Sequence, residues 1–278
     1  MKFKLGLCQM PVVKEKEINL KKAEEMIREA ALRGSQVISL PEIFNSPYST
    51  KHFRSYAEDE KGQTVTLLSS LAKELSVYLI GGSIPEIADK PDGPVYNTSF
   101  AFDRQGNIIG KHRKIHLFDV DVEGGIRMKE SDTLSAGDRM TVFDTEYGKI
   151  GIAICYDVRF PELIRNMALA GAILIVIPAA FSFATGVAHW DVTMRSRAID
   201  NQVYFAAVSS SRDQSGHYQA YGHSCVVTPW GDFCAKTDFR ESIVYADIDL
   251  DYIKSVRNQL PLLQHRRPDI YEKDKLLK

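Results

Sequence analysis

The chain has 278 residues, of which 44% are hydrophobic and 26% are charged, a composition typical of a globular protein with a large core. The same numbers exclude disordered, collagen-like and low-complexity proteins. Its 35 Lys and Arg residues nearly balance 36 Asp and Glu residues without forming a block of like charge, so we expect a small-molecule partner and neither a nucleic-acid nor a membrane surface.

Strands and helices alternate through the first part of the chain. Short apolar runs predict strands, and apolar residues at helical spacing that end at Gly34 predict the first helix. The predicted strands are Phe3–Met10, Val37–Leu40 and Val77–Ile80, with helices through Ala23–Ala31 and Leu67–Leu75. A hairpin of Asn97–Phe102 and Ile108–Lys111 follows. The polar segment His112–Asp138 is long for a connection, so we expect a functional loop there.

The same order of elements recurs past Met140. The predicted elements are the strands Lys149–Ile154, Ile173–Ile177 and Val203–Ser209, the helices Pro161–Ala170 and Trp190–Asn201, and, after a second hairpin, the closing strand Ser242–Ile248. Residue identities recur as well, since Lys4-Leu5-Gly6-Leu7 is echoed by Lys149-Ile150-Gly151-Ile152. The sequence therefore predicts two similar β-α-β-α-β halves, each with a hairpin.

Two mixed sheets that each carry helices on one side bury their bare faces most simply against each other. We therefore predict an α/β fold, a four-layer α-β-β-α sandwich of two mixed sheets with a pseudo-twofold internal duplication. It forms one domain over residues 1–263, with halves of about 1–144 and 145–263, and a C-terminal tail over 264–278 that packs on a partner subunit or frays. Two independent Rossmann-like domains are the alternative, but no linker rich in Pro, Ser or Gly separates the halves.

Two candidate reactive groups stand at strand ends, where functional groups concentrate in α/β sheets. Glu42 follows the strand that ends at Leu40, and a carboxylate next to a core strand needs a partner to offset the cost of its burial. Cys155 ends the strand that begins at Lys149, where a thiol can face a cleft beside free backbone N–H groups. An exposed Glu42 and an inert, buried Cys155 are the alternatives.

The other cysteines, Cys8, Cys225 and Cys234, lie within strand patterns and are expected to be inert. Four scattered cysteines are too few for a disulfide scaffold and show no zinc-ligand spacing, so we expect reduced thiols, no metal and a cytoplasmic protein. The sequence starts without the apolar segment of a signal peptide, and no stretch approaches the roughly 18 apolar residues that span a bilayer. Neither secretion nor membrane insertion is expected.

A basic cluster, Lys111–His116, leaves the first hairpin. By itself it predicts only a solvated turn. Together with Glu42 and Cys155, this basic cluster indicates acyl-transfer chemistry. A thiol needs a base to become a thiolate, and an acyl transfer needs a positive group where negative charge develops.

Three stretches resemble the signature regions of the nitrilase (carbon–nitrogen hydrolase) superfamily, in order and at similar spacing. They are Leu40-Pro41-Glu42, Arg113–Phe118 and Gly151–Glu162. The resemblance extends to about Asp269 and implies an α-β-β-α sandwich that dimerises with helices against helices. It also implies a catalytic triad of Glu42, Lys114 and Cys155, with Glu130 as the second glutamate found in many members.

Further residues resemble the ω-amidase branch of that superfamily. They are Phe44–Tyr48, His116–Val122, Glu130-Ser131, Leu134-Ser135, Gly137-Asp138, Thr185-Gly186 and His189-Trp190. The resemblance implies hydrolysis of the terminal amide of 2-oxoglutaramate, 2-oxosuccinamate and succinamate through a cysteine thioester, without a cofactor. The alternatives are amidases acting on deaminated glutathione or N-carbamoyl amino acids. A non-catalytic ammonia-channelling or binding subunit is disfavoured because the triad is intact.

The resemblance implies a role for each catalytic residue. Glu42 takes the proton of Cys155, and the positive charge of Lys114 favours the thiolate. Lys114 and the backbone N–H of Tyr156 hold the oxyanion. Glu130 orients Lys114 or the substrate amide.

The distal carboxylate of an ω-amidase substrate requires a cation. Arg159 is the first candidate because it lies four residues after the predicted nucleophile, and Arg195 and Arg197 on the second-half helix follow. Phe118 is a further substrate-binding candidate, since relatives acting on deaminated glutathione tend to differ there.

Histidines offer an alternative base. A Cys-His pair would use one of three residues near the predicted site, namely His112, His116 and His189. This pairing leaves Glu42 without a role and matches no pattern that extends over the whole chain.

Overall fold

The structure, a computed structural model, describes residues 1–88, 92–123, 126–212 and 218–271. Its strands are β1 (Lys2–Gln9), β2 (Val37–Ser39), β3 (Tyr78–Ile80), β4 (Ile84–Ile87), β5 (Val95–Phe102), β6 (Ile108–Arg113), β7 (Asp119–Asp121), β8 (Arg127–Lys129), β9 (Thr141–Thr145), β10 (Gly148–Ile152), β11 (Ala172–Ala179), β12 (Tyr204–Ser209), β13 (Cys225–Val227), β14 (Phe233–Lys236) and β15 (Ser242–Asp249). Its α-helices are α1 (Lys16–Leu32), α2 (Phe53–Tyr56), α3 (Gln63–Leu75), α4 (Pro161–Leu169), α5 (Phe183–Asn201), α6 (Leu250–Gln259) and α7 (Pro268–Tyr271). Two 3-10 helices in the described ranges span Glu130–Asp132 and Cys155–Arg159.

Most strands belong to two sheets. In the first, β15, β1, β2 and β3 lie side by side, β3 and β4 pair along one edge of β5, and β6 pairs along its other edge. The second sheet has the order β14-β13-β12-β11-β10-β9. β7 and β8 form a separate two-stranded ribbon.

The two sheets repeat one topology. β1, β2 and β3 are parallel and are followed by antiparallel β5 and β6. β10, β11 and β12 are likewise parallel and are followed by antiparallel β13 and β14. The duplication predicted from the sequence is therefore present in the strand order.

The core is arranged in layers. Leu5 and Leu7 of β1 pack across the space between the sheets against Ile150 of β10 and Leu174 of β11. Cys8, on the opposite face of β1, belongs to a second cluster that α1 and α3 cover. A third cluster joins the second sheet to α4 and α5. The order is helices, sheet, sheet, helices, which is the predicted sandwich.

The sheets do not follow the predicted halves of the sequence. β9 straddles the expected boundary near residue 144 and pairs with β10 in the second sheet. β15, from the predicted second half, pairs antiparallel with β1 and closes the first sheet. Each sheet therefore takes a strand from the chain beyond its own repeat, and the division of the chain into halves stays a prediction.

Two elements of the second half differ from the prediction for local reasons. α5 begins at Phe183 instead of Trp190, because the Ser182 hydroxyl accepts a hydrogen bond from the backbone N–H of Thr185 and caps an earlier first turn. β10 ends at Ile152, two residues earlier than predicted, because the chain turns into a 3-10 helix.

The predicted loop over 112–138 and the predicted tail both contain regular structure. The ribbon of β7 and β8 and the helix Glu130–Asp132 lie within the loop. The tail over 264–278 includes the exposed helix α7, and residues 272–278 lie outside the described residues. Within the described ranges, no helix is both long and apolar enough to cross a membrane.

Candidate active site

Cys155 lies where β10 turns into a helix. It begins the 3-10 helix Cys155–Arg159 with a φ of 45°. This left-handed conformation is strained for a residue other than glycine, and such strain concentrates at functional sites. Asp157 closes the turn, since its Oδ2 accepts the backbone N–H of Ile154 at 3.0 Å. The Cys155 thiol is buried, with 5% of the residue exposed.

Glu42 comes from the corresponding point of the first sheet, just after β2. Its neighbour Ile43 is also left-handed, with a φ of 49°. The Ser83 hydroxyl accepts the backbone N–H of Ile43 at 3.0 Å, and the backbone N–H of Ser83 donates to the carbonyl of Pro41 at 3.1 Å. Ser83 therefore holds the residues on either side of Glu42, namely Pro41 and Ile43, in place. Its buried Oε1 accepts a hydrogen bond from Asn97 Nδ2 at 2.8 Å.

Lys114 follows β6, and its side chain is completely buried. Its backbone N–H donates to the carbonyl of Asn97 at 2.8 Å, which fixes the point where the side chain leaves the sheet. Its ammonium donates to Glu42 Oε1 at 2.9 Å and to Glu130 Oε1 at 3.0 Å. Two carboxylates thus offset the cost of burying this charge.

Glu130 reaches the site from the 3-10 helix Glu130–Asp132. The Tyr48 hydroxyl donates to its Oε1 at 2.7 Å, and the backbone N–H of Phe118 donates to its Oε2 at 2.7 Å. The structure therefore brings three of the predicted catalytic side chains, those of Glu42, Lys114 and Glu130, into one buried network.

The Cys155 side chain lies against the Glu42 carboxylate. Glu42 Oε2 is buried and accepts no hydrogen bond of regular geometry from a described residue. A weaker hydrogen bond between the carboxylate and the thiol affects the pKa of both groups. All four predicted catalytic residues consequently meet at one point.

Burial and charge set the ionisation of the network. Burial raises the pKa of Glu42 more than Lys114 lowers it, and Glu130 raises it further. Burial lowers the pKa of Lys114, but the Glu130 and Glu42 carboxylates outweigh burial and hold it above its ordinary value. Lys114 is therefore a cation, and Glu42 holds a proton more strongly than an exposed glutamate does.

The thiols of all four cysteines have raised pKa values. Burial and the Glu42 charge raise the pKa of Cys155 well above its ordinary value, more than Lys114 lowers it. Burial raises the pKa of Cys8 and Cys225 to about 12, and that of Cys234 to about 11. Cys155 is therefore distinguished by the adjacent carboxylate and not by its resting ionisation.

A cleft of about 790 Å³ reaches the network. Its lining includes Glu42, Tyr48, Ala180 and Tyr218. A backbone hydrogen bond from Ala180 lowers the pKa of the Cys155 thiol, although burial has the larger, opposite effect. The Tyr218 hydroxyl donates to the Ala180 carbonyl and so fixes this segment beside the thiol.

A family model described as carbon–nitrogen hydrolase matches residues 4–258. The chain belongs to the carbon–nitrogen hydrolase family. Omega-amidase NIT2-B of Xenopus laevis is 52% identical over 270 residues, which cover 97% of each chain. Omega-amidase NIT2 of Homo sapiens is 49% identical over 269 residues, covering 97% of this chain and 96% of the human one. Among solved structures, that of Saccharomyces cerevisiae Nit3, a member of branch 10 of the nitrilase superfamily, superposes with a TM-score of 0.88. The two sequences are 42% identical, and the match covers 96% of this chain and 97% of Nit3. The predicted family and fold class are confirmed.

Arg159 of this carbon–nitrogen hydrolase lies beside the nucleophile turn. Its guanidinium is 4.9 Å from the ring centre of Phe181 and 5.9 Å from that of Tyr156. Its Nη1 is 3.2 Å from His189 Nδ1, and no carboxylate in the described ranges forms an ion pair with it. The charge of Arg159 is thus not neutralised by a described carboxylate.

The other predicted substrate-binding residues have structural partners. Arg195 Nε donates to the carbonyl of Gly231 at 2.7 Å. Arg197 Nε donates to the carbonyl of Val158 at 2.8 Å, which ties α5 to the end of the nucleophile helix. The buried ring of Phe118 contacts that of Tyr156 edge to face, with the ring centres 5.1 Å apart.

The three histidines considered as bases have other partners in this hydrolase. His112 and His116 both face Asp157, and His189 faces Arg159. None of the contacts of the described residues joins one of these imidazoles to Cys155. Among the described residues, no group of three or more His, Cys, Asp and Glu side chains could hold a metal ion.

The sequence does not single out Asn97 or Tyr218, and it indicates Tyr48 only as part of a motif. Tyr48 follows Pro47 in a segment of branch resemblance, so a signal for it was present. Asn97 stands in a run of buried polar residues within β5, which is an unusual pattern for a core strand. Tyr218 gives no signal in the sequence, because only the fold brings it to Ala180.

Proposed function

We propose that this carbon–nitrogen hydrolase is an ω-amidase that hydrolyses the terminal amide of small dicarboxylate monoamides. Its substrates are 2-oxoglutaramate, 2-oxosuccinamate and succinamate, and its products are the dicarboxylate and ammonia. The observation that carries the proposal is the near 50% identity to omega-amidases over 97% of the chain. The buried network of Glu42, Lys114 and Glu130 beside Cys155 supports amide chemistry at this point.

The reaction begins with attack by Cys155. The raised pKa of Cys155 keeps the thiol neutral at rest, so Glu42 accepts its proton as Sγ bonds to the amide carbon. The carbonyl oxygen becomes an oxyanion that accepts hydrogen bonds from the Lys114 ammonium and the backbone N–H of Tyr156. Each well-placed donor of this kind contributes roughly 3 to 4 kcal/mol.

Ammonia then leaves, and water completes the cycle. Glu42 gives its proton to the amide nitrogen, the C–N bond breaks, and the acyl group remains on Sγ as a thioester. The raised pKa of Glu42 favours this step, because the protonated carboxyl is the form that donates. A water molecule next loses a proton to Glu42 and attacks the thioester carbon. Collapse of that intermediate releases the dicarboxylate, and the proton returns to Cys155. Glu130 holds Lys114 in position, and no cofactor takes part.

Positive charge supports the assignment of an anionic substrate. Lys14, Lys51 and Arg127 line the cleft, and Glu42 is the only acid among its described lining residues. Exposed cations of this kind attract an anion without fixing its orientation. Arg159 is the proposed partner of the distal carboxylate, because it lies beside the nucleophile turn and has no carboxylate partner among the described residues.

The proposal includes a cytoplasmic homodimer. Two apolar side chains one turn apart on α5 are exposed, with 46% of Phe183 and 62% of Val187 accessible. Covering them with the same helix of a second copy removes apolar surface from water. All four cysteines are free, which agrees with a reducing compartment.

Ammonia release from a panel of amides tests the assignment. The panel comprises succinamate, 2-oxoglutaramate, deaminated glutathione and an N-carbamoyl amino acid. We expect the first two to have the highest kcat/KM, Cys155→Ala to have no activity, and the matched thiol variant Cys234→Ser to retain full activity. A higher kcat/KM on deaminated glutathione or the carbamoyl compound would replace the ω-amidase assignment. Full activity of a folded Cys155→Ala protein would exclude the thioester.

A further inference from the structure

Asp157 is a buried carboxylate that touches neither the cleft nor the Lys114 network, although it lies two residues after Cys155. Four hydrogen bonds converge on it. Its Oδ2 accepts the backbone N–H of Ile154 and the Nε2–H of His112, each at 3.0 Å. Its Oδ1 accepts the backbone N–H of His116 at 2.9 Å and the Nδ1–H of the same residue at 2.8 Å.

These donors flank the two central groups of the active site. Ile154 immediately precedes Cys155, and His112 and His116 lie two residues before and two residues after Lys114. Lys114 follows a strand of the first sheet, whereas Cys155 follows a strand of the second. Asp157 therefore joins the two sheets at the point where their reactive groups must meet.

Each imidazole is itself held in place. His112 Nδ1 lies 3.3 Å from the hydroxyl of Thr141, which donates to the carbonyl of Lys111 at 2.9 Å. The His116 ring stacks on that of Phe160, with the ring centres 3.5 Å apart and the planes 8° from parallel. Neither ring can rotate away from Asp157 without losing a second contact.

Asp157 is ionised. Burial raises its pKa, but the hydrogen bonds from His112 and His116 outweigh burial and lower the pKa below its ordinary value. An ionised carboxylate can only accept hydrogen bonds, so each imidazole presents an N–H to it. His112 uses its Nε2 position, and His116 uses its Nδ1 position.

We propose that Asp157 is a positioning residue that sets the Lys114 ammonium against the Cys155 thiol, acting through His112 and His116. The proposal rests on the amide hydrolysis proposed above. A displacement of about 1 Å between reacting groups costs on the order of 100-fold in rate, so a single acceptor shared by both segments has a large effect on kcat.

Four single substitutions separate this role from a merely structural one. The side-chain amide nitrogen of Asn occupies nearly the place of a histidine Nδ1, and that of Gln nearly the place of Nε2. His116→Asn and His112→Gln therefore keep the side-chain hydrogen bond to Asp157, whereas His116→Gln and His112→Asn lose that side-chain hydrogen bond. The backbone hydrogen bond from residue 116 to Asp157 remains in all four variants. Both His116 variants lose the stack on Phe160 equally, so each pair differs only in the reach of its donor.

We expect the two variants that keep the donor to have at least tenfold higher kcat on succinamate than their partners, with KM changed less than about threefold. Asp157→Asn, which turns an acceptor into a donor, is expected to lose about 100-fold in kcat. Equal kcat within both pairs, or losses confined to KM, would overturn the proposal. A loss of kcat that only follows the fraction unfolded, measured by thermal denaturation, would overturn it as well.

A readout independent of activity keeps the two proposals apart. If the wild-type protein releases no ammonia from any amide of the panel, the proposed function fails, and crystal structures then test the positioning role alone. In His116→Gln and His112→Asn, the Lys114 ammonium is expected to leave its contacts of 2.9 and 3.0 Å with Glu42 and Glu130. Unchanged contacts in both variants would show that Asp157 does not position Lys114.

Discussion

Ile43 and Cys155 both adopt left-handed backbone conformations beside the reactive groups. Such strain costs on the order of 1 to 3 kcal/mol at each residue and persists only where surrounding contacts enforce it. Ser83 supplies the contact at Ile43, and Asp157 closes the turn at Cys155. The strain at these two residues directs the Glu42 carboxylate and the thiol toward each other from different sheets.

Replacing Glu130 by Gln is expected to shift the pH dependence of the reaction. Glu42 must be ionised to accept the thiol proton, so kcat/KM rises as the pH rises through the pKa of Glu42. The negative charge of Glu130 helps to raise that pKa. In Glu130→Gln, the acid limb of the kcat/KM profile therefore moves to lower pH, together with a loss of kcat because Lys114 is held less firmly. An acid limb that stays in place or moves to higher pH would show that another group controls it.

Replacing Arg159 by Ala tests the proposed carboxylate anchor. Loss of a charge-assisted contact of about 2 kcal/mol raises KM for succinamate roughly 30-fold, whereas KM for a neutral amide of similar size changes little. Arg195→Ala is the matched control, because Arg195 donates to the carbonyl of Gly231 and is exposed on α5. Equal effects on the charged and the neutral amide would remove Arg159 from the carboxylate site.

The residues of the site were predictable to different degrees. Glu42 and Cys155 stand at strand ends, where the order of elements alone indicates function, and the motif resemblance added Lys114 and Glu130. Asn97 could not be found in this way, because its contact with Glu42 depends on the alignment of β5 with the chain after β2. Such contacts between strands are set by register, which one sequence does not reveal.

At the scale of elements, the turn between β3 and β4 supports the segment after β2 that carries Glu42. Gly82 in this turn has a φ of 57°, and a Cβ there would lie 2.2 Å from the carbonyl oxygen of Pro41. Phe44 N–H also donates to the carbonyl of Ser83 at 3.2 Å. The turn and the segment that carries Glu42 therefore fit together too closely for any side chain at position 82.

Gly82→Ala is therefore expected to lower kcat, while Gly34→Ala is not. Both glycines have positive φ, so each substitution costs about 1 to 2 kcal/mol in backbone strain. The clash with Pro41 adds to this cost at Gly82, whereas no atom lies within 4 Å of a Cβ at Gly34. Only Gly82→Ala displaces Pro41 and, with it, Glu42. Chemical denaturation and kcat on succinamate measure the two effects. Equal kcat in both variants would mean that the turn does not position Glu42.

The order of the elements was predictable, and the sheet to which each strand belongs was not. Alternating apolar runs and helical spacing located most strands and helices within a few residues. The pattern of β15 is that of any half-buried strand, and nothing in it indicates a partner in β1 at the other end of the chain. β4 and β9 are short, and each pairs at a sheet edge where the apolar pattern is weak.

For the whole molecule, the exposed apolar pair Phe183 and Val187 on α5 predicts a dimer that one charge can prevent. Val187→Glu replaces one member of this pair by a carboxylate and is expected to give a monomer, because burying an unpaired charge costs more than the contact gains. Leu32→Glu is the matched control, since Leu32 is 82% exposed at the end of α1. Light scattering coupled to size exclusion measures the masses. A monomeric wild-type protein, or a dimeric Val187→Glu protein, would contradict the prediction.

The pairing of β15 with β1 has a consequence for synthesis on the ribosome. β1 leaves the ribosome long before β15, so one of its edges has no partner during that interval. At roughly 5 to 20 residues per second, this delay lasts on the order of 10 s to a minute. During that time β1 presents unpaired N–H and carbonyl groups that can pair with another nascent chain. The first sheet, and the Glu42 turn it carries, cannot be completed until β15 has emerged, so we expect folding of this enzyme to depend on chaperone protection of β1 during that interval.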